Sequence, residues 1–181
     1  MEGAERIPPG PRGPGRGEGG EAVRLRGLTG LPRPARPGKL ARMPKVFTVE
    51  YPILFSHCDP AGIVYFPRLF DLLHRAMEDW FTFGLGERFA DFIMAKRLGI
   101  PTVGTKVDFV GPARFGDLLK IELRVAKLGS SSIELAIDSS IEGRTCFRAQ
   151  HTICVFSSET YKAVPIPAEI RARMEAYVAA G

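Results

Sequence analysis

Five runs of this chain alternate apolar and polar residues with a period of two, and that alternation limits the fold more than any other feature. In KVFTVEYPILF the apolar positions are Phe47, Val49, Tyr51, Ile53 and Phe55. In TVGTKVDFV they include Val103, Val107 and Phe109, with Lys106 and Asp108 on the other face. In LLKIELRVAK, Leu119, Ile121, Leu123 and Val125 oppose Lys120, Glu122 and Arg124. In SSIELAIDSSI, Ile133, Leu135, Ile137 and Ile141 oppose Glu134 and Asp138. In TCFRAQHTICVF, Phe147, Ala149, Ile153 and Val155 oppose Arg148, Gln150 and Thr152. Side chains alternate across a strand, so each run reads as a strand with one buried and one solvated face, the pattern of an antiparallel sheet. KLGSSS and IEGR join the last three runs through short glycine-containing turns, which predicts a meander.

One long helical pattern interrupts the strands. In FPRLFDLLHRAMEDWFTFG the residues Leu69, Phe70, Leu73, Met77, Trp80 and Phe81 follow i, i+3, i+4, i+7 spacing. Pro67 suits the first turn and Gly84 the C-terminal cap. Leu72, Ala76 and Phe83 widen the apolar surface beyond one stripe, so this helix has to be largely buried. RFADFIMAKRLG reads as a second helix running to Gly99, and PAEIRARMEAYVAA as a surface helix with Ile170, Met174, Tyr177 and Val178 on one face. Five antiparallel strands with one apolar face need a single cover, and the buried helix supplies it. The expectation is an α+β domain with a five-stranded antiparallel sheet wrapped around one long central helix, the hot-dog arrangement. Such a sheet leaves edges to protect, and pairing them in a dimer is the expected solution.

Charge narrows the function classes once it is localised. Residues 1–43 hold nine Arg or Lys and four Asp or Glu, whereas residues 44–181 hold sixteen of each. The net +5 therefore belongs to the N-terminal segment, and a globular part without net charge argues against a nucleic-acid surface. Residues 1–43 also carry ten Gly and seven Pro and read as a disordered tail, leaving 44–181 as the domain. The tail lacks the apolar stretch of a secretory signal, and with no Ser, one Thr and four acids it is a poor transit peptide. A functional start at Met43 and a nucleic-acid-binding tail are the alternatives for it. No apolar run approaches the roughly 20 residues that a membrane span needs. Cys58, Cys146 and Cys154 are odd in number and lack CxxC spacing, so neither a disulfide framework nor a zinc or other metal site is expected. Buried reduced thiols and a cytoplasmic protein are.

The chemistry concentrates in FSHCDPAGIVYFPRLF, residues 55–70. Asp-Pro-Ala-Gly is a turn signature, with Asp59 at i, Pro60 at i+1 and Gly62 at i+3. The same residues permit a second role. The turn precedes the N-terminus of the buried helix, where unpaired N–H groups and a partial positive charge favour an oxyanion. A carboxylate fixed beside them can attack a carbonyl or activate a water that does so. The residues alone leave both roles open. A Cys58–His57 pair is not expected to work as a unit, because neighbours on a strand point to opposite faces. His57 then shapes the pocket wall or the turn, and His151, mid-strand, is expected to be structural. Tyr65 and Trp80 suit an acyl pocket or core packing.

DPAGIVYFP, the long helix, VDFVGPARFGDLLKIEL and the meander resemble the Asp-type 4-hydroxybenzoyl-CoA thioesterases over roughly residues 46–168. The resemblance implies a hydrolase acting on an aromatic or short-chain acyl-CoA, with the coenzyme A thioester as substrate and no cofactor. It implies Asp59 as the catalytic carboxylate, nucleophile or general base. Phe66 would give the backbone N–H that polarises the thioester carbonyl, with Tyr65 beside it. His57 and Gly62 would border the substrate. A homodimer sharing a continuous sheet, assembled into a homotetramer with the active site at the dimer interface, is implied as well.

The chain departs from that pattern at two places. His74 stands where the family has the carboxylate that meets the ring hydroxyl, and it either contacts the acyl group or pairs with Glu78 one turn on. A basic cluster for the nucleotide phosphates is replaced by AKLGSSS, leaving Lys127, Ser130 and Ser131 as the substrate contacts there. An acyl carrier protein thioesterase of the same fold and a non-catalytic acyl-CoA-binding protein are the remaining alternatives.

Overall fold

A computed structural model describes residues 44–179. The expected tail at 1–43, with its alternative start at Met43, lies outside the described residues. The chain runs β1 (Phe47–Pro52), α1 (Phe66–Asp79), α2 (Phe89–Met94), β2 (Leu98–Gly99), β3 (Thr102–Phe109), β4 (Leu118–Leu128), β5 (Ser132–Ile141), β6 (Arg144–Cys154), β7 (Phe156–Ser157), β8 (Lys162–Ala163) and α3 (Ala168–Met174). Five strands form an antiparallel sheet in the order β1-β4-β5-β6-β3, and the expected meander is β4-β5-β6. The period-2 pattern sets which face is buried. Leu119, Ile121, Leu123 and Val125 on β4 and Ile133, Leu135 and Ile137 on β5 point into the core, while Arg124 and Asp138 pair at 3.0 Å on the outer face. Fully burying a Leu or Ile side chain contributes about 1.5–3 kcal/mol.

The opposite wall of that core is α1. Leu72, Leu73, Ala76 and Met77 are buried, and the helix continues through a wider π turn at Trp80–Gly84 that buries Trp80 and Phe81. Trp80 is therefore core and not acyl-pocket wall. Its ring packs edge-on against Tyr177, 5.8 Å between centroids. Gly84 is needed at the end of the turn, because a Cβ there would sit 2.6 Å from Trp80 Cδ1. The layered α+β hot-dog arrangement is thus present, with one long helix covering one sheet face.

α1 is also tied to the sheet by a polar contact. The Tyr51 hydroxyl on β1 donates to Asp79 Oδ2 at 2.5 Å, and the Arg75 guanidinium lies 4.7 Å from the centre of the Tyr51 ring. Burial, and then the bond to the Asp79 carboxylate, push the Tyr51 hydroxyl well above its ordinary pKa.

Two expectations near the site need correcting. The first strand ends at Pro52, and Phe55–His57 forms a single tight 3-10 turn. His57 and Cys58 are therefore not on an extended strand. His57 Nδ1 accepts the Leu54 N–H at 3.1 Å, and Cys58 Sγ donates to Leu54 O at 3.7 Å, so each serves the turn. The second helix stops at Met94, because Arg97 takes a positive φ of 56° and Leu98–Gly99 pairs with β7 in a small three-stranded sheet. Of the thiols, Cys146 alone is buried; Cys58 and Cys154 are half-buried, and all three are free. No helix among the described residues is long and apolar enough to cross a membrane.

Replacing Tyr51 by Phe removes the donor and leaves Asp79 half-buried without it. Chemical denaturation of Tyr51→Phe should show a loss of about 1–3 kcal/mol. An unchanged midpoint would mean that this contact does not hold α1 to β1.

Candidate active site

The Asp-Pro-Ala-Gly segment is a closed turn. The Gly62 N–H donates to Asp59 O at 2.9 Å, the Asp59 N–H donates to Ile63 O at 2.9 Å, and Cys58 bridges Val64 across the base. Gly62 has a φ of +75°, a conformation that costs an L side chain about 1–2 kcal/mol. The Ala61 N–H donates to Asp59 Oδ1 at 2.8 Å, which fixes the carboxylate on its own turn. Oδ2 of Asp59 has no hydrogen-bond partner among the described residues. Asp59 lines two adjoining clefts. One, of about 370 Å³, is walled by Phe55, Pro60 and Phe115; the other, of about 350 Å³, by His57, Tyr65 and Arg68.

The start of α1 stands next to this turn. The Tyr65 N–H donates to His57 O at 2.9 Å, and the Arg68 N–H to Tyr65 O at 2.8 Å. Pro67 has no N–H. That leaves the Phe66 N–H, at the first helical position, without a partner among the described residues. The site thus combines a fixed carboxylate with a free donor at the positive end of a helix.

An apolar path leads away from this point. A groove of about 320 Å³ is lined by Ile63, Phe66, Leu69, Phe109, Val110 and Pro112, with the Phe66 and Phe109 rings 6.5 Å apart. It shares Leu69 and Phe109 with a narrower slot between α1 and β3, where Phe70, Leu73, Val107 and Phe147 form the walls.

The other expected residues divide. His74, two turns up α1, is exposed and pairs with Glu78 through Nε2 at 3.1 Å. Lys127, Ser130 and Ser131 are not brought to Asp59 within the chain. The Asp59 turn sits against residues 112–117, just before β4, whereas Lys127 lies at the far end of that strand, about 30 Å away. Lys127 pairs with Glu134 at 3.6 Å, and the Ser130 carbonyl accepts the Ile166 N–H at 2.9 Å. The mid-strand His151, expected to be structural, sits in the core. His151 is buried and its Nδ1 lies 2.8 Å from Thr105 Oγ1. Its position in the apolar phase of β6, between Ala149 and Ile153, was the signal.

Fold and site together define a hot-dog protein with a carboxylate held at the mouth of its central helix. Residues 53–174 match the model of the thioesterase-like superfamily, and the chain belongs to that family. It is 29% identical over 126 residues to a 1,4-dihydroxy-2-naphthoyl-CoA hydrolase of Synechocystis sp. (strain ATCC 27184 / PCC 6803 / Kazusa), covering 67% of this chain and 88% of that protein. A protein of the same name from Nostoc punctiforme is 28% identical over 117 residues, covering 64% of this chain and 78% of the relative. Among solved structures, a thioesterase superfamily protein from Jannaschia sp. CCS1 superposes with a TM-score of 0.71 at 26% identity, over 77% of this chain and 97% of that one.

The buried His151 makes stability depend on pH. Burial first, and the charge of His74 second, lower its pKa below the ordinary 6.5. The folded state therefore holds the neutral ring while the unfolded chain takes up a proton. This contribution is fully present above 6.5 and shrinks as the pH falls below that value. Denaturation midpoints of the parent should fall on acidification through this range, and His151→Gln should lose that part of the decline. Equal pH slopes for the two proteins would contradict the assignment.

Proposed function

We propose that this thioester hydrolase cleaves an aromatic acyl-CoA, with Asp59 as its catalytic carboxylate. The observation that carries the reading is the fixed Asp59 carboxylate beside the unpartnered Phe66 N–H. The names of the relatives support an aromatic CoA thioester as substrate.

In this reading the thioester carbonyl oxygen accepts the Phe66 N–H. The bond strengthens as the carbonyl carbon becomes tetrahedral and charge builds on that oxygen, aided by the positive end of α1. Asp59 then works in one of two ways. Its free oxygen attacks the carbonyl carbon, expelling the thiolate of coenzyme A and leaving a mixed anhydride that water opens. Alternatively it takes a proton from a water that attacks the same carbon. The apolar groove from Phe66 to Phe109 receives the acyl group, while Tyr65 and His57 wall the cleft on the other side of Asp59. Lys127, Ser130 and Ser131 would reach a nucleotide at this site only from another copy of the chain.

The working unit in this reading is a homodimer. β3 is an edge strand with its outer hydrogen-bonding side unpaired among the described residues, and Val103, Phe109 and Val110 along it are exposed. Such an edge invites pairing with a second copy, which would also cover the groove beside Phe109.

Asp59→Asn tests the mechanism, since an Asn Oδ1 can still accept the Ala61 N–H and hold the turn. The variant should sediment as a dimer like the parent, while kcat/KM on an aromatic acyl-CoA falls by about 10²–10⁴-fold. Parental hydrolysis by the variant would sink the mechanism, and a monomeric parent would sink the dimer.

A further inference from the structure

One oxygen of Asp59 is unused, and the cleft on the His57 side of the turn is polar. Oδ1 accepts the Ala61 N–H, whereas Oδ2 has no hydrogen-bond partner among the described residues. The cleft, of about 350 Å³, is lined by Ser56, His57, Cys58, Asp59, Tyr65 and Arg68. His57 and Asp59 reach it together because Cys58 between them is extended, with φ −96° and ψ 150°. Residues on either side of an extended residue turn their side chains to the same face, with Cα atoms about 7 Å apart. His57 is also fixed in place. Its Nδ1 accepts the Leu54 N–H at 3.1 Å, and its carbonyl accepts the Tyr65 N–H at 2.9 Å from the start of α1. A ring nitrogen that accepts carries no proton, so the neutral ring holds its proton on Nε2. Nε2 is then a donor, and it has no partner among the described residues. The other donors of the cleft are less suited. Arg68 is engaged with Asp71 at 3.0 Å. The exposed Ser56 and Tyr65 hydroxyls are held by no hydrogen bond among the described residues.

We infer that His57 is a catalytic residue, whose Nε2–H holds the hydrolytic water against the free oxygen of Asp59. The inference rests on the thioester hydrolase reading of the Asp59 site, and it selects attack by water over attack by the carboxylate. A water between the two side chains accepts the Nε2–H with one lone pair and donates to Asp59 Oδ2. Two hydrogen bonds of about 3 Å fit between side chains set about 7 Å apart at Cα. The second lone pair is left for the thioester carbonyl carbon. As the new carbon–oxygen bond forms, one water proton passes to Oδ2 and charge gathers on the carbonyl oxygen beside the Phe66 N–H. The carbon–sulfur bond then breaks, the coenzyme A thiolate takes the proton from Asp59, and the aromatic acid keeps the water's other proton. The groove assigned to the acyl group has apolar and glycine residues for walls, so the polar cleft is the side on which a water is held.

Two variants of the full chain separate the two ring nitrogens. In His57→Asn the amide oxygen stands near the Nδ1 position and keeps the Leu54 N–H, but the Nε2 donor is gone. In His57→Gln an amide nitrogen stands near the Nε2 position, but the Leu54 N–H loses its acceptor. With 4-hydroxybenzoyl-CoA, His57→Asn should keep the parental KM and denaturation midpoint while kcat falls by about 10–100-fold, the effect of misplacing a reacting group. His57→Gln should unfold more easily and yet recover about tenfold in kcat over His57→Asn. A purely structural His57 gives the reverse order, with activity following stability. That order, or a parental kcat in His57→Asn, overturns the inference. A second readout needs no turnover. In the ¹⁵N-histidine-labelled parent, the His57 resonances are those of the three histidines that His57→Asn lacks, and they should report the Nε2–H tautomer. An Nδ1–H ring overturns the inference. Asp59→Asn tells the two levels apart. Parental hydrolysis by that variant sinks the hydrolase reading, whereas an inactive Asp59→Asn beside a parental His57→Asn sinks the role of His57 alone.

Discussion

One helix must cover one face of a five-stranded sheet, and the rest of the molecule follows from that requirement. The inner residues of β4 and β5 are apolar except Ser139, and they need a partner surface as wide as the sheet is curved. α1 supplies it with Leu72, Leu73, Ala76 and Met77, and extends it through a π turn that drives Trp80 and Phe81 into the same core. Tyr51 and Asp79 add a polar tie at the β1 side. The cover reaches less well over the other edge. Every residue of β3 except Val107 is exposed, and a groove opens between its Phe109 end and the start of α1.

The site grows out of the same geometry. A helix buried along its length has to begin abruptly, and the connection from β1 accomplishes this in a 3-10 turn and a four-residue turn. The turn residues fix the Asp59 carboxylate against its own backbone, and the abrupt start leaves the Phe66 N–H unpaired at the helix mouth. In the proposed mechanism these two consequences of folding become the carboxylate and the oxyanion donor. The groove beside Phe66 and Phe109 then receives the acyl group.

Much of this was legible in the sequence because it depends on local rules. Period-2 alternation located the five long strands, and helical spacing with Pro67 and Gly84 located α1. The D-P-A-G signature located the turn and the need for Gly62. Other features were not legible because they depend on long-range partners. Leu98–Gly99 looked helical and became strand only because β7 pairs with it. Tyr65, Phe66 and Asp59 share one short stretch, so their proximity could be read directly. Lys127, Ser130 and Ser131 lie at the far end of β4, a separation that no local pattern reveals. His74 pairs with Glu78 one turn on, while the buried His151 bonds Thr105 across on β3, a partner beyond the reach of any local pattern.

The central claim is that the turn and the helix start act together on one carbonyl. The most direct measurement is a crystal structure of the full chain with a non-hydrolysable thioether analogue of an aroyl-CoA. The account predicts the analogue's carbonyl oxygen about 3 Å from the Phe66 nitrogen, its carbonyl carbon facing the free oxygen of Asp59, and its ring in the groove beside Phe109. A carbonyl seated away from the Phe66 N–H, or an Asp59 carboxylate turned from it, would contradict the account.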